Sequence, residues 1–202
     1  MCGLSFFLKA NEHLSAEELN NLNKISYSEL KRRGPDNFDS VLACQRQLLL
    51  CHARLSILDL SSGANQPMVS KSGATILIFN GEIYNHLQLR EQLFPESFEW
   101  STSSDTETLL ELIELIGVKE ALSKCVGMFA LCIYDREQRT IAIARDKFGE
   151  KPLYYFKSSE YFCGGSTLKV LDSFSSLKLD YDAVSQFFIS GFISSPKSIY
   201  AD

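Results

Sequence analysis

Met128-Phe129-Ala130-Leu131-Cys132-Ile133-Tyr134, the charged Asp135-Arg136-Glu137-Gln138-Arg139, then Thr140-Ile141-Ala142-Ile143-Ala144: two apolar, β-prone runs flank a short polar stretch, which reads as a hairpin. Working outward, Ser40 to Asp59 repeats the pattern, rich in Val, Leu, Ile and Cys and broken by Gln45-Arg46-Gln47. Leu4 to Leu8 reads as an opening strand, Ala74 to Phe79 as a buried one, and Pro152 to Phe156 and Tyr161 to Cys163 as two more. Hairpins join antiparallel neighbours, so the expected fold class is α+β, with largely antiparallel sheets covered by helices.

Four stretches carry helical periodicity. Ser15 and Glu18 have capping-box spacing before a helix from about Ala16 to Lys31, where Leu19, Leu22, Ile25 and Leu30 share a face and Gly34-Pro35-Asp36 is the stop. A short helix is expected from His86 to Leu93, after the polar loop Ser61 to Gln66 and the strand that follows it. Ser104 with Glu107 gives a second capping box, and Leu109, Leu110, Leu112, Ile113 and Ile116 form an apolar face ending at Gly117. Tyr181 to Ile189 is the last.

With 202 residues, 45% of them hydrophobic, the chain can bury roughly 70% of its unfolded surface. Its net charge of -5, with Lys31-Arg32-Arg33 the one tight basic cluster, gives no electrostatic reason to bind nucleic acid. No apolar run approaches the roughly 18 residues of a membrane span, and no signal-peptide pattern opens the chain, so a cytoplasmic location is expected. Of six cysteines, those at 44, 51, 125, 132 and 163 lie among apolar or β-prone residues and read as packing thiols in a reducing compartment. No pair has Cys-x-x-Cys spacing, and His13, His52 and His86 are scattered, so no metal site is expected. No phosphate-binding glycine motif is present.

Cys2 is different, because the small Gly3 and a cysteine at position two favour removal of the initiator methionine. That removal leaves a thiol and a free α-amine on one residue. With pKa values near 8.5 and about 7.7 to 8.0 the two exchange a proton at neutral pH, and the competing reading is an incidental cysteine before a strand. Asn80-Gly81, at the end of an apolar strand, offers a side-chain amide and a backbone N–H that can receive a developing oxyanion. Asn-Gly is also the favoured type I′ turn, although Glu82-Ile83-Tyr84-Asn85-His86 is not an obvious returning strand. Arg54, inside the β-prone His52-Ala53-Arg54-Leu55-Ser56-Ile57, reads either as a fork for a carboxylate or as a solvent-facing strand arginine. Asp105, just after the Ser104 cap, reads either as a partner for a ligand's ammonium group or as a helix-dipole residue.

Taken in order, Met1-Cys2-Gly3, Arg33-Gly34-Pro35-Asp36, Arg54-Leu55-Ser56-Ile57, Gln66-Pro67-Met68, Asn80-Gly81-Glu82-Ile83-Tyr84-Asn85, Ser104-Asp105-Thr106-Glu107, Gly127-Met128-Phe129-Ala130 and Arg145-Asp146 through Gly149 to Lys151-Pro152-Leu153-Tyr154 resemble one family. It is the N-terminal glutaminase domain of glutamine-hydrolysing asparagine synthetase, a class II glutamine amidotransferase, and the resemblance runs from Met1 to about Tyr200. It implies the N-terminal nucleophile (Ntn) hydrolase fold, a four-layer αββα sandwich with two mainly antiparallel sheets. It implies one glutaminase domain over residues 1–202, with a C-terminal ATP-pyrophosphatase synthetase domain as partner. It also implies L-glutamine as substrate, with Cys2 the nucleophile and Asn80 and Gly81 holding the oxyanion. Arg54 would grip the α-carboxylate, Asp105 and Glu82 the α-ammonium group, and Leu55, Ser56, Ile57 and Leu58 would frame the pocket. Arg145-Asp146 and Lys151-Pro152-Leu153-Tyr154 would organise the fold and the face toward the synthetase domain.

The family's Ser-Gly-Gly-x-Asp-Ser phosphate loop is missing, so no cofactor is expected in this chain, and ATP and Mg belong to the synthetase domain. Thr167 and Val170 stand where the family usually has a carboxylate and a smaller side chain, a departure that bears on communication with that domain. A homodimer is a further expectation. The other readings are a related enzyme amidating a different acid such as a sugar acid, a degenerate glutamine-binding module, and an unrelated amide acylase. The complete Cys2, Arg54, Asn80, Gly81 and Asp105 set favours the glutaminase over the degenerate module, and the Arg54 with Asp105 clamp favours it over the acylase.

Overall fold

The computed structural model describes residues 1–174 and 177–201. The first strand, β1 (Gly3–Lys9), alternates faces: Leu4 and Phe6 point one way into a core between two sheets, while Phe7 points the other way toward the first helix. That helix, α1 (Ala16–Leu30), begins with the expected capping box, in which Ser15 Oγ accepts from the Glu18 N–H at 3.1 Å and Glu18 Oε2 accepts from the Ser15 N–H at 2.7 Å. Strands β2 (Asn37–Ala43) and β3 (Leu48–Arg54) pair antiparallel across a left-handed turn at Cys44–Arg46, as the hairpin reading anticipates. The chain then forms β4 (Met68–Val69), β5 (Thr75–Ile83), α2 (His86–Leu93), α3 (Asp105–Ile116) and α4 (Val118–Lys124). It continues through β6 (Gly127–Asp135), β7 (Thr140–Arg145), β8 (Tyr154–Lys157), β9 (Tyr161–Gly165), α5 (Leu168–Phe174) and α6 (Tyr181–Ser190).

Two sheets result, ordered β2-β3-β1-β9-β8 and β4-β5-β6-β7, with antiparallel neighbours throughout. Their facing sides bury Leu4, Phe6, Leu48 and Leu50 against Ile76, Ile78, Ala130, Cys132 and Tyr134. On the outer face of the five-stranded sheet, Leu49, Cys51 and Ala53 pack under α1 and α5. On the outer face of the four-stranded sheet, Leu77, Phe79, Phe129, Leu131 and Ile133 pack under Leu109, Leu110, Leu112 and Ile113 of α3. Period-two strands with both faces apolar therefore produce four layers, helix, sheet, sheet, helix. Among the described residues no helix is long and apolar enough to cross a membrane.

Several local expectations change. Asn80-Gly81 is not a turn: β5 runs straight through it, pairing Asn80 with Ala130 and Gly81 with Phe129. Position 81 takes glycine because a Cβ there would lie 2.3 Å from the Met128 carbonyl oxygen. The second capping box does not close. Ser104 Oγ accepts from the Thr106 N–H at 3.1 Å, but the Glu107 carboxylate turns back to the N–H groups of Ser101 at 2.9 Å and Thr102 at 2.7 Å. Leu55 to Asp59 leaves the sheet, since β3 ends at Arg54. Strand β4 and helices α4 and α5 are additions, each seven residues or shorter, too short for a periodic signal to stand out.

Gly81→Ala forces the added methyl against backbone in a paired strand. It is expected to destabilise the fold by about 2 kcal/mol or more, read as a shift of the urea midpoint at unchanged m-value.

Candidate active site

Strand ends build one cleft. Register pairs Gly3 with Ala53, which sets the preceding Cys2 against the Arg54 end of β3. The Leu55 N–H donates to Cys2 Sγ at 3.3 Å, and the thiol lies 3.6 Å from the Leu55 carbonyl. Burial pushes the Cys2 thiol up from its ordinary pKa, opposed by the Leu55 N–H, the chain's α-amino group and Arg54, while Asp105 adds to the rise. Behind it, Arg33 Nε donates to the Cys2 carbonyl at 3.0 Å and Arg33 Nη2 is buried with no partner among the described residues. Sequence reasoning assigned Arg33 no role of its own; its place in Arg33-Gly34-Pro35-Asp36 was the available signal.

Asn80 arrives from the other sheet, on the inward face of β5, 1% exposed, with Nδ2 buried and without a partner among the described residues. It lines the cleft with Cys2, Gly81, Glu82 and Asp105, and the cavity volume is about 120 Å³. The Ser70 N–H donates to Thr75 O, and β4 pairs Met68 with Leu77, so odd-numbered residues of β5 aim their N–H groups toward β4. Beyond Met68 that edge is open. Three N–H groups fall on it: Phe79, which donates to Gln66 Oε1 at 2.6 Å; Gly81; and Ile83, which donates to Asp105 Oδ2 at 2.8 Å. Gly81 is the one without a side-chain partner among the described residues, and it borders the cleft. Asp105, at the N-terminus of α3, is 5% exposed, and burial raises its carboxyl pKa against the pull of the Ile83 N–H.

Arg54 departs most from expectation. It is neither solvent-facing nor an open fork: 5% exposed, it turns Nη1 to Ser61 O and Asn65 Oδ1, each at 2.8 Å, and Nη2 to the carbonyls of Leu58 and Asp59. Both terminal nitrogens fasten the loop that walls the cleft. Asp59 ties the same loop to Ser103 beside the α3 cap, and hydrogen bonds from Ser61 and Ser103 hold its carboxyl down at about 2. Leu55, Ile57 and Leu58 line the cleft. Ser56 does not; its N–H donates to Asp36 Oδ2 at 2.7 Å.

Lys151 is the residue the sequence reading placed elsewhere. Asp146 does the organising, its carboxylate accepting from the N–H groups of Phe129, Phe148, Glu150 and Lys151, while Lys151 itself lines the cleft with Nζ 3.7 Å from Met1 Sδ. His52, fully buried, points Nε2 at the Phe79 carbonyl 3.0 Å away, and burial lowers its pKa to about 4, so the neutral ring donates there. Sequence spacing held no sign of that role, which depends on one sheet facing the other.

A family model described as a glutamine amidotransferase domain matches residues 1–202. The chain belongs to that family. Among relatives of this glutamine amidotransferase domain, a putative glutamine-hydrolysing asparagine synthetase of Methanocaldococcus jannaschii is 34% identical over 99% of this chain and 41% of its own length. Asparagine synthetase 1 of Bacillus subtilis is 36% identical over 73% of this chain and 23% of its own, and asparagine synthetase B of Escherichia coli 39% over 62% and 22%. The domain thus spans less than half the length of these relatives. In fold it is similar to the glutamine phosphoribosylpyrophosphate amidotransferase of B. subtilis, with a TM-score of 0.68 and 22% identity over 85% of this chain and 43% of that one. The architecture is the Ntn-hydrolase sandwich.

Arg54→Lys keeps the charge but not the planar fork. Amide hydrogen exchange over residues 58–65 is expected to speed by at least about tenfold, as one net hydrogen bond to a charged group is worth more than 1.4 kcal/mol. For His52, the unfolded ring takes up a proton near pH 6.5 and the folded ring near 4, so its contribution to stability is whole above about 6.5 and is lost as pH falls toward 4. Chemical denaturation across that window should show a shallower loss in His52→Gln than in the parent.

Proposed function

We propose that residues 1–202 form a single glutaminase domain, in which Cys2 hydrolyses L-glutamine to glutamate and ammonia through a thioester. Ammonia then serves ATP-dependent amidation of aspartate to asparagine in a synthetase domain. One observation carries this reading: the Cys2 thiol, Asn80 Nδ2 and the Gly81 N–H, the last two without a partner among the described residues, border one cleft that Asp105 closes at its acidic end.

With Met1 removed, the Cys2 α-amine, with an ordinary pKa near 7.7 to 8.0, is the base for a thiol whose own pKa burial has raised. The thiol adds to the carboxamide carbon of glutamine and its proton passes to the amine. The carbonyl oxygen, now negative, is received by Asn80 Nδ2, buried and without a partner among the described residues, and by the Gly81 N–H, held in place by its strand before charge develops. The amine returns the proton to the departing nitrogen, the C–N bond breaks, and ammonia leaves. Water, deprotonated by the same amine, then attacks the thioester carbon, and the C–S bond breaks to give glutamate and the free thiol. Asp105 and Glu82 pair with the substrate's α-ammonium group. Arg54 supplies positive charge for the α-carboxylate and, through Leu58, Asp59, Ser61 and Asn65, the shape of the wall against which it rests.

Met1 Sδ beside Lys151 Nζ places the first residue in the mouth of the cleft, which supports its loss on maturation. Relatives more than twice as long support a further domain that uses the ammonia, as do Phe188 and Ile189, which α6 exposes to more than 80%. ATP and magnesium belong to that further domain on this reading, and no step above runs through them.

Purified protein is expected to release glutamate from glutamine and to have an intact mass short of one methionine residue. Cys2→Ala should lose activity by at least about a thousandfold. Unchanged glutamate release in Cys2→Ala overturns the mechanism.

A further inference from the structure

On the open edge of β5 the hydrogen-bond ladder does not simply end. Register pairs Met68 with Leu77, so two residues further along Gln66 stands opposite Phe79, where a continued ladder would join the Phe79 N–H to the Gln66 main-chain carbonyl. The main chain has left the sheet there. The Gln66 side chain reaches back in its place, Oε1 accepting from the Phe79 N–H at 2.6 Å and Nε2 donating to Thr106 Oγ1 at 3.4 Å. A backbone N–H can only donate, which fixes which end of the amide is oxygen. The other edge group of Phe79, its carbonyl, is taken by His52. Phe79 immediately precedes Asn80, and Thr106 immediately follows Asp105.

Resting on the glutaminase reading above, we infer that Gln66 is a positioning residue for the reaction: its one amide fixes the spacing between the oxyanion donors Asn80 and Gly81 and the ammonium-binding Asp105. Gln66 is 5% exposed and borders the cleft, so its side chain has no rotamer freedom to lose when substrate arrives. The bond to Phe79 holds β5 in place on the side where β4 no longer does, and Gly81 depends on that hold because its own N–H has to stay unpaired to serve. Asp105 fastens the same edge two residues beyond Gly81. The donor that must stay open therefore sits between two closed ones, and the Thr106 contact joins the two closures.

The test compares glutamate release by the parent chain, Gln66→Met, Thr106→Val, Asn80→Ala and the Gln66→Met/Asn80→Ala double variant, each checked for its thermal midpoint. Gln66→Met should lower kcat about tenfold to a hundredfold, the cost of a displacement of about 1 Å at the reacting centre. Thr106→Val, which breaks only the link toward Asp105, should raise KM a few-fold and keep kcat. In the Asn80→Ala background Gln66→Met should cost at least about threefold less than in the parent, because with Asn80 gone Gly81 is the one oxyanion donor left for Gln66 to position. If Gln66→Met does not fold, Gln66→Asn, whose shorter amide cannot span both partners, carries the same comparison. A lower thermal midpoint with kcat and KM unchanged, or losses that multiply in the double variant, overturns the inference while leaving the glutaminase reading intact. An inactive parent chain overturns both.

Discussion

The chemistry of this domain depends on a strand whose neighbour stops early. β4 pairs with β5 for two residues, and from Phe79 to Ile83 every second N–H of β5 has no strand to meet. Buried and unpaired, each would cost roughly the full desolvation of an amide. Two are closed by side chains, Gln66 and Asp105, and the third, Gly81, faces the cleft. An interrupted ladder thus gives the site a backbone donor that is rigid and open. No side chain could offer one at lower entropy, since the strand is already fixed by β6 on its other side.

Two sheets are needed because the groups come from both. β1 and β3 deliver Cys2 and Leu55, β5 delivers Asn80 and Gly81, and the packing of Leu4 and Phe6 against Ile78 and Ala130 sets their separation. Charge follows the same plan. Burial pushes the Cys2 thiol and the Asp105 carboxyl toward their neutral forms, and the opposing influences are local: an N–H from Leu55 on one, an N–H from Ile83 on the other. Arg54 gives most of its donors to Leu58, Asp59, Ser61 and Asn65, so a single guanidinium converts a polar loop into a wall.

Most of the architecture was readable because it is periodic. Hairpins at Ser40 to Asp59 and Met128 to Ala144, the Ser15 capping box and the helix ending at Gly117 all rest on contacts between residues near one another in the chain, which local sequence encodes. The failures are equally specific. The strand read as ending at Phe79 runs on to Ile83, because pairing with β6 nearly fifty residues away carries it through Asn80-Gly81. The Glu107 carboxylate had a local partner in the Ser104 N–H and took Ser101 and Thr102 instead. Lys151 reads in sequence as part of a stretch that organises the fold and the face toward a synthetase domain; folding brings it to the cleft beside Met1, 150 residues away.

By itself the sequence determined the alternation that makes the strands, the position of the cysteine at the second residue and the residue types that can bind an amino acid. Tertiary structure decided which of their polar atoms are free. Asn80 Nδ2 and the Gly81 N–H are open and the Arg54 fork is not, and that difference depends on where β4 ends and how the loop after β3 folds back. Composition fixes how many donors a residue has; only the neighbours brought by the fold determine how many remain for a substrate.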